Sequence, residues 1–194
     1  MDWIANIENW DQKFIVLVNS YNHPFLDQIM WIVSSPLFGI PFYLIFIYFI
    51  YRNYALKHTL AIVIMLVVVI GLGDFIAHEL FKETIQRFRP SHNLNINNEL
   101  HFHMYDDGSF YTGGKYGFVS NHATNMSALC WGVFLVLKNS YTNSWFYLLL
   151  FVLVISYSRM YLGVHYLTDI VGGWIIGIIL AQIGYLITKK YIKL

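Results

Sequence analysis

The chain has 194 residues, of which 57% are hydrophobic and only 12% are charged. Together with a mean hydropathy of +0.51, this composition excludes an ordinary soluble domain and indicates an integral membrane protein. The formal net charge of +1 and the scattered basic residues argue against a nucleic-acid partner. A helix needs about 20 residues to cross a bilayer, so the length suits one membrane domain over residues 1–194.

The first twenty residues form the first predicted element. Ile7, Trp10 and Phe14 recur at helical spacing, and Glu8 and Asp11 fall between them. This alternation predicts an amphipathic helix. We expect it to lie in the membrane interface or to pack obliquely against the bundle, although the pattern alone does not exclude a spanning helix.

Long apolar segments follow. Residues 25–51 are interrupted by Pro36 and Pro41, which predicts one kinked helix or a short helix followed by a spanning one. Residues 56–81 are enough to cross the bilayer with some tilt. Helical patterns resume over three later ranges, 121–137, 144–157 and 167–187. The sequence therefore predicts an all-α integral membrane bundle of about six helices, of which five or six span the bilayer.

One long polar loop separates two of these helices. Residues 82–117 are rich in Asn, His, Gly and Ser, and loops of this length often carry function. Within the loop, HFHMYDD at residues 101–107 could coordinate a metal or touch a substrate headgroup. Its spacing matches no standard zinc pattern, so we expect solvated side chains, no metal and no cofactor. The role of residues 91–117 is otherwise not predicted.

Two polar residues lie inside the span at residues 56–81. Asp74 and His78 are four positions apart, and an ionisable residue inside a membrane span is a functional candidate. The two side chains could satisfy each other, or they could support Lys82 from one or two turns below. The pattern does not choose between these arrangements.

The basic loop residues predict the orientation in the membrane. If the long loop lies on one side, Arg52, Lys57, Lys138 and the tail lysines at 189, 190 and 193 lie on the other. The positive-inside rule makes that second side cytoplasmic. We therefore expect a multi-pass protein of the cell (inner or plasma) membrane, with the long loop on the outer, periplasmic or extracellular face.

Three polar clusters fall at helix ends on this outer face, and the first is KETIQRFRP. Lys82 and Arg89 are seven positions apart, about two helical turns, so a continuous helix would project both from one face until Pro90 ends it. Two cations on one face could hold an anion. An ordinary basic helix end, in which Lys82, Arg87 and Arg89 satisfy terminal carbonyls, fits the same residues.

The second cluster is YGFVSNHATN, which precedes an apolar helix. Ser120 or Asn121 is a natural N-cap, and His122 would lie in the first turn. A helix N-terminus with free N–H groups is an anion site. Simple capping beside an exposed histidine is the alternative.

The third cluster is SRMYLGVHYLTD. His165 and Asp169 are four positions apart and would be neighbours on one helical face, where a carboxylate can accept the imidazole N–H and orient the ring as a nucleophile. Arg159 could grip a phosphate with two hydrogen bonds. A purely structural His–Asp hydrogen bond is the alternative.

Together the clusters resemble the three-part signature of the type 2 phosphatidic acid phosphatase family. The matching pattern is Lys82, six residues, Arg89-Pro90, then Ser120-Asn121-His122, then Ser158-Arg159, five residues, His165, three residues and Asp169. Predicted helices around these residues cover nearly the whole chain. The resemblance implies a helical core like that of acid phosphatases and vanadium haloperoxidases. Val119 departs from the pattern, because the family usually has proline there; a rigid turn is lost but no reacting group.

The resemblance also implies a mechanism. His165 would attack phosphorus to form a phosphohistidine, Asp169 would orient it, and His122 would protonate the leaving oxygen. Water would then release phosphate. The phosphate-binding residues implied by the family are Lys82, Arg89, Ser120, Asn121 and Arg159, with backbone N–H groups near Asn121 and His122. Their positive charges would meet the electrostatic need of the transferring group without a metal.

The function predicted from these residues is that of an integral membrane lipid phosphatase acting on a lipid phosphate in the bilayer. Undecaprenyl diphosphate and lipid A phosphate are the favoured substrates, with phosphatidylglycerol phosphate and phosphatidic acid as further candidates. A polytopic transporter or channel that uses the same charges is the alternative, although repeated halves are not evident. A vanadate-dependent haloperoxidase is remote, because those enzymes are soluble. The oligomeric state is not predicted.

Overall fold

The computed structural model describes residues 2–192, which form helices and connecting loops. The helices are α1 (Asp2–Ser20), α2 (Pro24–Ser34), α3 (Ile40–Asn53), α4 (Leu56–Phe75), α5 (Glu83–Ile85), α6 (Asn121–Leu137), α7 (Ser144–Tyr161) and α8 (Leu167–Lys189). Within the described residues, β structure is limited to two isolated bridges. The all-α prediction is confirmed.

Helix α1 lies across one end of the bundle. Asp11 accepts a hydrogen bond from the backbone N–H of Thr168, at the start of α8, at 3.3 Å. Asn19 donates to the carbonyl of Tyr161, at the end of α7, at 2.7 Å. Eight residues of helix extend about 12 Å, yet both attachments are to the same end of the bundle. Helix α1 therefore packs across these helix ends, and its placement relative to the membrane stays a prediction.

Helices α2 and α3 form a bent pair. They are bent by 69° at the break around Ser35 and Pro36, where the Ser35 hydroxyl accepts the N–H of Leu37 at 3.3 Å. Because proline lacks the N–H that would continue the α2 ladder, the chain turns and Ser34 is left at the bend. This break separates a short helix from a longer one, as in the second predicted arrangement, and the spanning of the bilayer by α3 stays a prediction.

Helix α4 continues through a π-helical turn (Ile76–Lys82) and α5 as far as Ile85. Gln86 then adopts a left-handed conformation, with φ of 53°, which ends the helix. The chain becomes extended, and Phe88 pairs with Tyr116. The helix therefore does not continue to Pro90, and Lys82 and Arg89 do not lie on one helical face.

Helix α6 packs closely between α4 and α8. Its first turn lies beside the α4–α5 end, and near its other end the carbonyl of Val136 accepts a hydrogen bond from Tyr54, at 2.7 Å. Gly173 allows close contact with α8, because a Cβ there would lie 2.9 Å from the carbonyl oxygen of Ser120. Small residues bring helices together in this way in bilayers.

By length and composition, α7, α8 and the continuous segment Leu56–Ile85 can each cross a membrane, and the bent α2–α3 pair is a fourth candidate. Helix α6 has 17 residues, close to the lower length for a span. The number of five or six spanning helices stays a prediction.

The long loop between α5 and α6 is anchored on the same end of the bundle as α1. The backbone N–H of His101 donates to Asn19 at 2.6 Å, and its imidazole lies 3.1 Å from Asp27 of α2. The ring of His103 stacks on Trp31, with centroids 4.0 Å apart. The loop therefore covers the ends of α1 and α2 and brings its flanking residues over the helix ends.

Candidate active site

Direct hydrogen bonds join the three sequence clusters at one end of the bundle. Arg89 donates to the carbonyl of Val164, next to His165, at 3.5 Å. The backbone N–H of Ser120 donates to the carbonyl of Asp169 at 3.0 Å. The ammonium of Lys82 donates to the side-chain oxygen of Asn121. Residues from all three clusters thus form one site.

The pair formed by His165 and Asp169 lies at the centre of this site. Nδ1 of His165 is 3.3 Å from Oδ2 of Asp169, and both side chains are buried. The sequence predicted His165 and Asp169 on one helical face. In the structure, His165 lies in the turn before α8. The contact forms because Asp169, in the first turn of α8, also accepts the N–H of Tyr166 at 3.0 Å. An ionised carboxylate only accepts hydrogen bonds, so Nδ1 carries the proton and Nε2 keeps its lone pair.

The charge state of His165 suits a nucleophile. Burial, followed by the positive charges of Arg89 and Arg159, lowers the pKa of His165 well below its ordinary value of about 6.5. The imidazole is therefore neutral near pH 7, with an available lone pair.

Arg159 is a buried cation whose described partners are neutral. It donates to the hydroxyl of Ser34, at the α2–α3 bend, and to the hydroxyl of Tyr111, in the long loop, at 2.8 Å. Its Nε is buried without a partner among the described residues. A buried guanidinium with neutral partners and an unused donor can bind an oxyanion.

Arg89 is held by backbone groups. Its Nε donates to the carbonyl of Tyr116 at 3.0 Å, and the loop glycines leave space for its guanidinium. A Cβ on Gly113 would lie 2.6 Å from Nη1 of Arg89, at a residue whose φ is already +66°. Burial, followed by the charge of Arg159, lowers the pKa of Arg89 to about 10, so it remains charged at neutral pH.

Lys82 is connected to Asp74 through an asparagine. Asn121 accepts from Lys82 and donates to Oδ1 of Asp74 at 2.7 Å. The two open alternatives for Asp74 and His78 are thereby resolved. The imidazole of His78 lies 3.0 Å from the carboxylate of Glu79, whereas Asp74 is linked to Lys82 through the side chain of Asn121. Asn121 contributes its side chain to this chain of hydrogen bonds.

The start of α6 supplies backbone donors. Ser120 is the N-cap, as predicted, and its hydroxyl accepts the N–H of Ala123 at 3.5 Å. Its carbonyl accepts the N–H of Thr124 at 2.9 Å. The N–H groups of Asn121 and His122 precede the first intrahelical bonds and remain available to an anion.

His122 is half-buried beside a cavity. Its Nε2 lies 3.3 Å from the carbonyl of Ser34, which can only accept, so Nε2 carries a hydrogen. Next to the ring is a cavity of about 220 Å³ lined by α2, the α2–α3 bend, α3, α4, α6 and α7 and including Asp74 and Asn125. This cavity provides space for a leaving group beside the imidazole.

The contacts of Arg87 could not be predicted from the sequence pattern. Its Nη1 donates to Asp169 at 2.8 Å, and its Nη2 donates to Glu8 and Asp11 of α1, each at 2.8 Å. Arg87 is therefore not part of an ordinary basic helix end. No local pattern could have found this cluster, because Asp11 lies 76 residues away in the chain.

The histidines and aspartates at residues 101–107 form no metal cluster. Across residues 2–192, no group of three or more His, Cys, Asp or Glu side chains could hold a metal ion. His101 pairs with Asp27, His103 stacks on Trp31, and Asp107 accepts from its neighbour Ser109 at 2.6 Å. These contacts shape the loop, and its contact with a headgroup stays a prediction.

The amino-acid sequence matches known proteins over almost its whole length. The family model described as the PAP2 superfamily matches residues 58–193. The lipid A 4′-phosphatase of Porphyromonas gingivalis is 30% identical over 192 residues, covering 99% of this chain and 76% of that protein. The lipid A 4′-phosphatase of Bacteroides thetaiotaomicron is 28% identical over 189 residues, covering 96% and 80% respectively.

Two solved structures share the fold. The PAP2 type phosphatidylglycerolphosphate phosphatase from Bacillus subtilis aligns with a TM-score of 0.71 at 20% identity, covering 97% of this chain and 89% of that one. The crystal structure of Aquifex aeolicus LpxE aligns with a TM-score of 0.60 at 20% identity, covering 90% and 93%. This likeness concerns the fold, and it confirms the predicted helical membrane architecture.

Proposed function

Because the chain belongs to the PAP2 superfamily and is a membrane lipid phosphatase, we propose that it hydrolyses the 4′-phosphate of lipid A through a phosphohistidine on His165. The two lipid A 4′-phosphatases that align with nearly all of the chain support this substrate. The observation that carries the mechanism is the His165–Asp169 contact of 3.3 Å, surrounded by cations with neutral partners.

In the first step, Nε2 of His165 attacks phosphorus and the bond from phosphorus to the sugar oxygen breaks. The electron pair of that bond goes to the sugar oxygen, which takes the Nδ1 proton of His122; His122 enters this step as an imidazolium and leaves it neutral. Asp169 stabilises the positive charge that develops on the His165 ring, because its carboxylate accepts the Nδ1 hydrogen. Splitting the displacement into two steps lowers the barrier of each.

In the second step, water attacks the phosphorus of the phosphohistidine and the P–N bond breaks. His122, now neutral, takes a proton from this water, and inorganic phosphate leaves. Lys82, Arg89 and Arg159, with the hydroxyl of Ser120 and the N–H groups at the start of α6, stabilise the equatorial oxygens in both steps. This positive charge is the main electrostatic requirement of phosphoryl transfer.

The position of the site suits a substrate that stays in the membrane. The reacting residues lie at helix ends, where a headgroup would arrive by lateral diffusion. We place this end on the outer face, because the basic residues of the other loops and tail favour the cytoplasmic side. Thiol labelling of Asp106→Cys and Asn139→Cys in a Cys130→Ser background, in right-side-out vesicles, tests this orientation. Labelling of Asn139→Cys alone would reverse it.

Phosphate release from purified protein tests the proposed function. The enzyme in detergent, with a chelator present, is given lipid A, undecaprenyl diphosphate, phosphatidylglycerol phosphate or phosphatidic acid. We expect the highest kcat/KM with lipid A, and loss of release in His165→Ala and His122→Ala. Arg52→Gln, at the other end of the bundle, is the matched control. Unchanged release by His165→Ala would exclude the phosphohistidine, and no release from any lipid by wild type would favour the transport alternative.

A further inference from the structure

The two oxygens of the Asp169 carboxylate have separate partners. Oδ2 faces the reacting side, where it contacts Nδ1 of His165 and the N–H of Tyr166. Oδ1 faces the opposite side and accepts from Nη1 of Arg87 at 2.8 Å. Arg87 therefore binds the carboxylate oxygen that faces away from His165, and Arg87 does not contact the phosphate-binding cluster. Any rotation of Asp169 would break contacts on both sides.

Arg87 is itself held by α1 and by an aromatic ring. Its Nη2 lies 2.8 Å from carboxylate oxygens of both Glu8 and Asp11, and its guanidinium carbon lies 4.2 Å from the centre of the Tyr166 ring. Asp11 is fully buried. It also accepts the backbone N–H of Thr168 at 3.3 Å, which attaches α1 to the first turn of α8. The planar guanidinium fits this forked and stacked arrangement, which an ammonium cannot reproduce.

The charges around Arg87 prevent it from acting as a phosphate ligand. Burial by itself would lower the pKa of Arg87, but Asp169, Asp11 and Glu8 raise it above its ordinary value. Nη1 is shared between Thr168, at 2.6 Å, and Asp169, and Nη2 is used by α1. An additional phosphate would be repelled by the surrounding carboxylates.

We infer that Arg87, held by Asp11 of helix α1, is a positioning residue that fixes the Asp169 carboxylate and, through it, the His165 imidazole. This inference rests on the proposed function, in which His165 attacks and Asp169 orients it. Helix α1 is then a structural part of the active site as well as a surface element. Neither Arg87 nor Asp11 touches the reacting atoms.

The first test compares variants of Arg87 under saturating and limiting lipid. Loss of a hydrogen-bond partner that orients a metal-binding side chain typically lowers activity by about 10- to 100-fold. By analogy, we expect Arg87→Gln to lower kcat by that factor and to leave KM near the wild-type value. Arg87→Lys should retain part of kcat, because lysine keeps the positive charge but lacks the two guanidinium nitrogens that donate to separate carboxylates. Asp11→Asn should have a smaller effect than Arg87→Gln. Lys13→Gln, on an exposed position of the same helix, should match wild type.

A double-mutant cycle separates positioning from a general loss of folded protein. In an Asp169→Ala background, Arg87→Gln has no carboxylate left to position and should cause no further loss of kcat. A merely structural role would lower kcat by the same factor in both backgrounds, and that result would overturn the inference, as would a wild-type kcat in Arg87→Gln. If Arg87→Gln does not yield folded protein, Arg87→Lys and Asp11→Asn are placed in the same cycle with the same criteria.

Failure of the inference and failure of the proposed function give different results. If Asp169→Ala and His165→Ala keep wild-type phosphate release, the proposed function fails first. If both lose activity while all Arg87 and Asp11 variants keep wild-type kcat, only the positioning of Asp169 by Arg87 is wrong.

Discussion

Two neighbouring charged regions at the same end of the bundle differ in how their arginines are partnered. In the acidic region, Arg87 is surrounded by the carboxylates of Glu8, Asp11 and Asp169. In the cationic region, which comprises Lys82, Arg89 and Arg159, the direct hydrogen-bond partners of the described side chains are hydroxyls, an amide and backbone carbonyls. Lys82, Arg89 and Arg159 are buried, as are Asp11 and Asp169. Arg87 and Glu8 are partly exposed. Asp169 lies between the two regions.

This difference indicates that Arg87 is a structural cation, whereas we expect the cations of the cationic region to bind a ligand. A buried charge without a counter-charge is costly, so we expect a bound phosphate to stabilise the cationic region. Arg87 has no such need, because three carboxylates already surround it. The residue type alone therefore does not identify a phosphate ligand; its partners do.

The largest expected effect is the removal of a cation from the cationic region. Arg159→Gln should lower kcat/KM by about 100- to 1,000-fold, the usual cost of losing one donor to a developing oxyanion. Arg159→Lys should fall between this variant and wild type. The measurement is phosphate release with lipid A as substrate, with thermal unfolding as a control for folding. A kcat/KM for Arg159→Gln near that of wild type would remove Arg159 from the phosphate site.

A smaller effect is expected from displacing a cation without removing it. In Gly113→Ala, the new Cβ would lie 2.6 Å from Nη1 of Arg89, so the guanidinium must move, and kcat/KM should fall by about 10- to 100-fold. Gly108→Ala is the matched control, because φ at Gly108 is also positive, at +82°, but nothing lies within 4 Å. Equal kinetic losses in the two variants would indicate backbone strain and not displacement of Arg89.

The acid limb of the pH profile tests whether the cationic region acts on His165. Burial and then the Arg89 charge lower the pKa of His165, so removing that charge should raise this pKa. The nucleophile of Arg89→Gln would then be protonated at higher pH than in wild type, and its kcat/KM should decline at higher pH as the solution is acidified. Comparing the two proteins with the same lipid cancels titration of the substrate. Coincident acid limbs would contradict the electrostatic coupling.

The smallest effect is expected at the edge of the acidic region. The Glu8 side chain is 38% exposed, whereas that of Asp11 is fully buried. An exposed ion pair contributes about 0–1 kcal/mol, so Glu8→Gln should lower the free energy of unfolding by no more than that and leave kcat near wild type. Asp11→Asn should be more destabilising in the same thermal-unfolding assay. The reverse order would mean that burial does not set the strength of these contacts.

Much of the helical framework could be predicted because a membrane span is a long apolar run bounded by polar residues. Helices α6, α7 and α8 begin at the predicted residues, Asn121, Ser144 and Leu167. The end of α7 was predicted at residue 157 but lies at Tyr161. Ser158 and Arg159 are polar yet buried, because this helix end points into a charged site and not into water.

The candidate site residues could be named because the family pattern is local at each cluster. Their mutual arrangement could not be read in the same way. Lys82 and Arg89 were expected on one helix, but the left-handed Gln86 breaks that helix and the loop returns Arg89 to the site. Ser34 and Tyr111, which hold Arg159, belong to no motif.

The sequence by itself determined the membrane class of the protein, the approximate course of its helices and the residues that carry the phosphatase signature, because hydropathy and short spacings are local properties of the chain. Only the tertiary structure decided that α1 lies across the ends of α7 and α8, that Asp74 is linked to Lys82 through Asn121, and that Arg87 is already neutralised. These features depend on partners 39 to 157 residues apart. No local spacing encodes such contacts, since they form only when separate helices pack together.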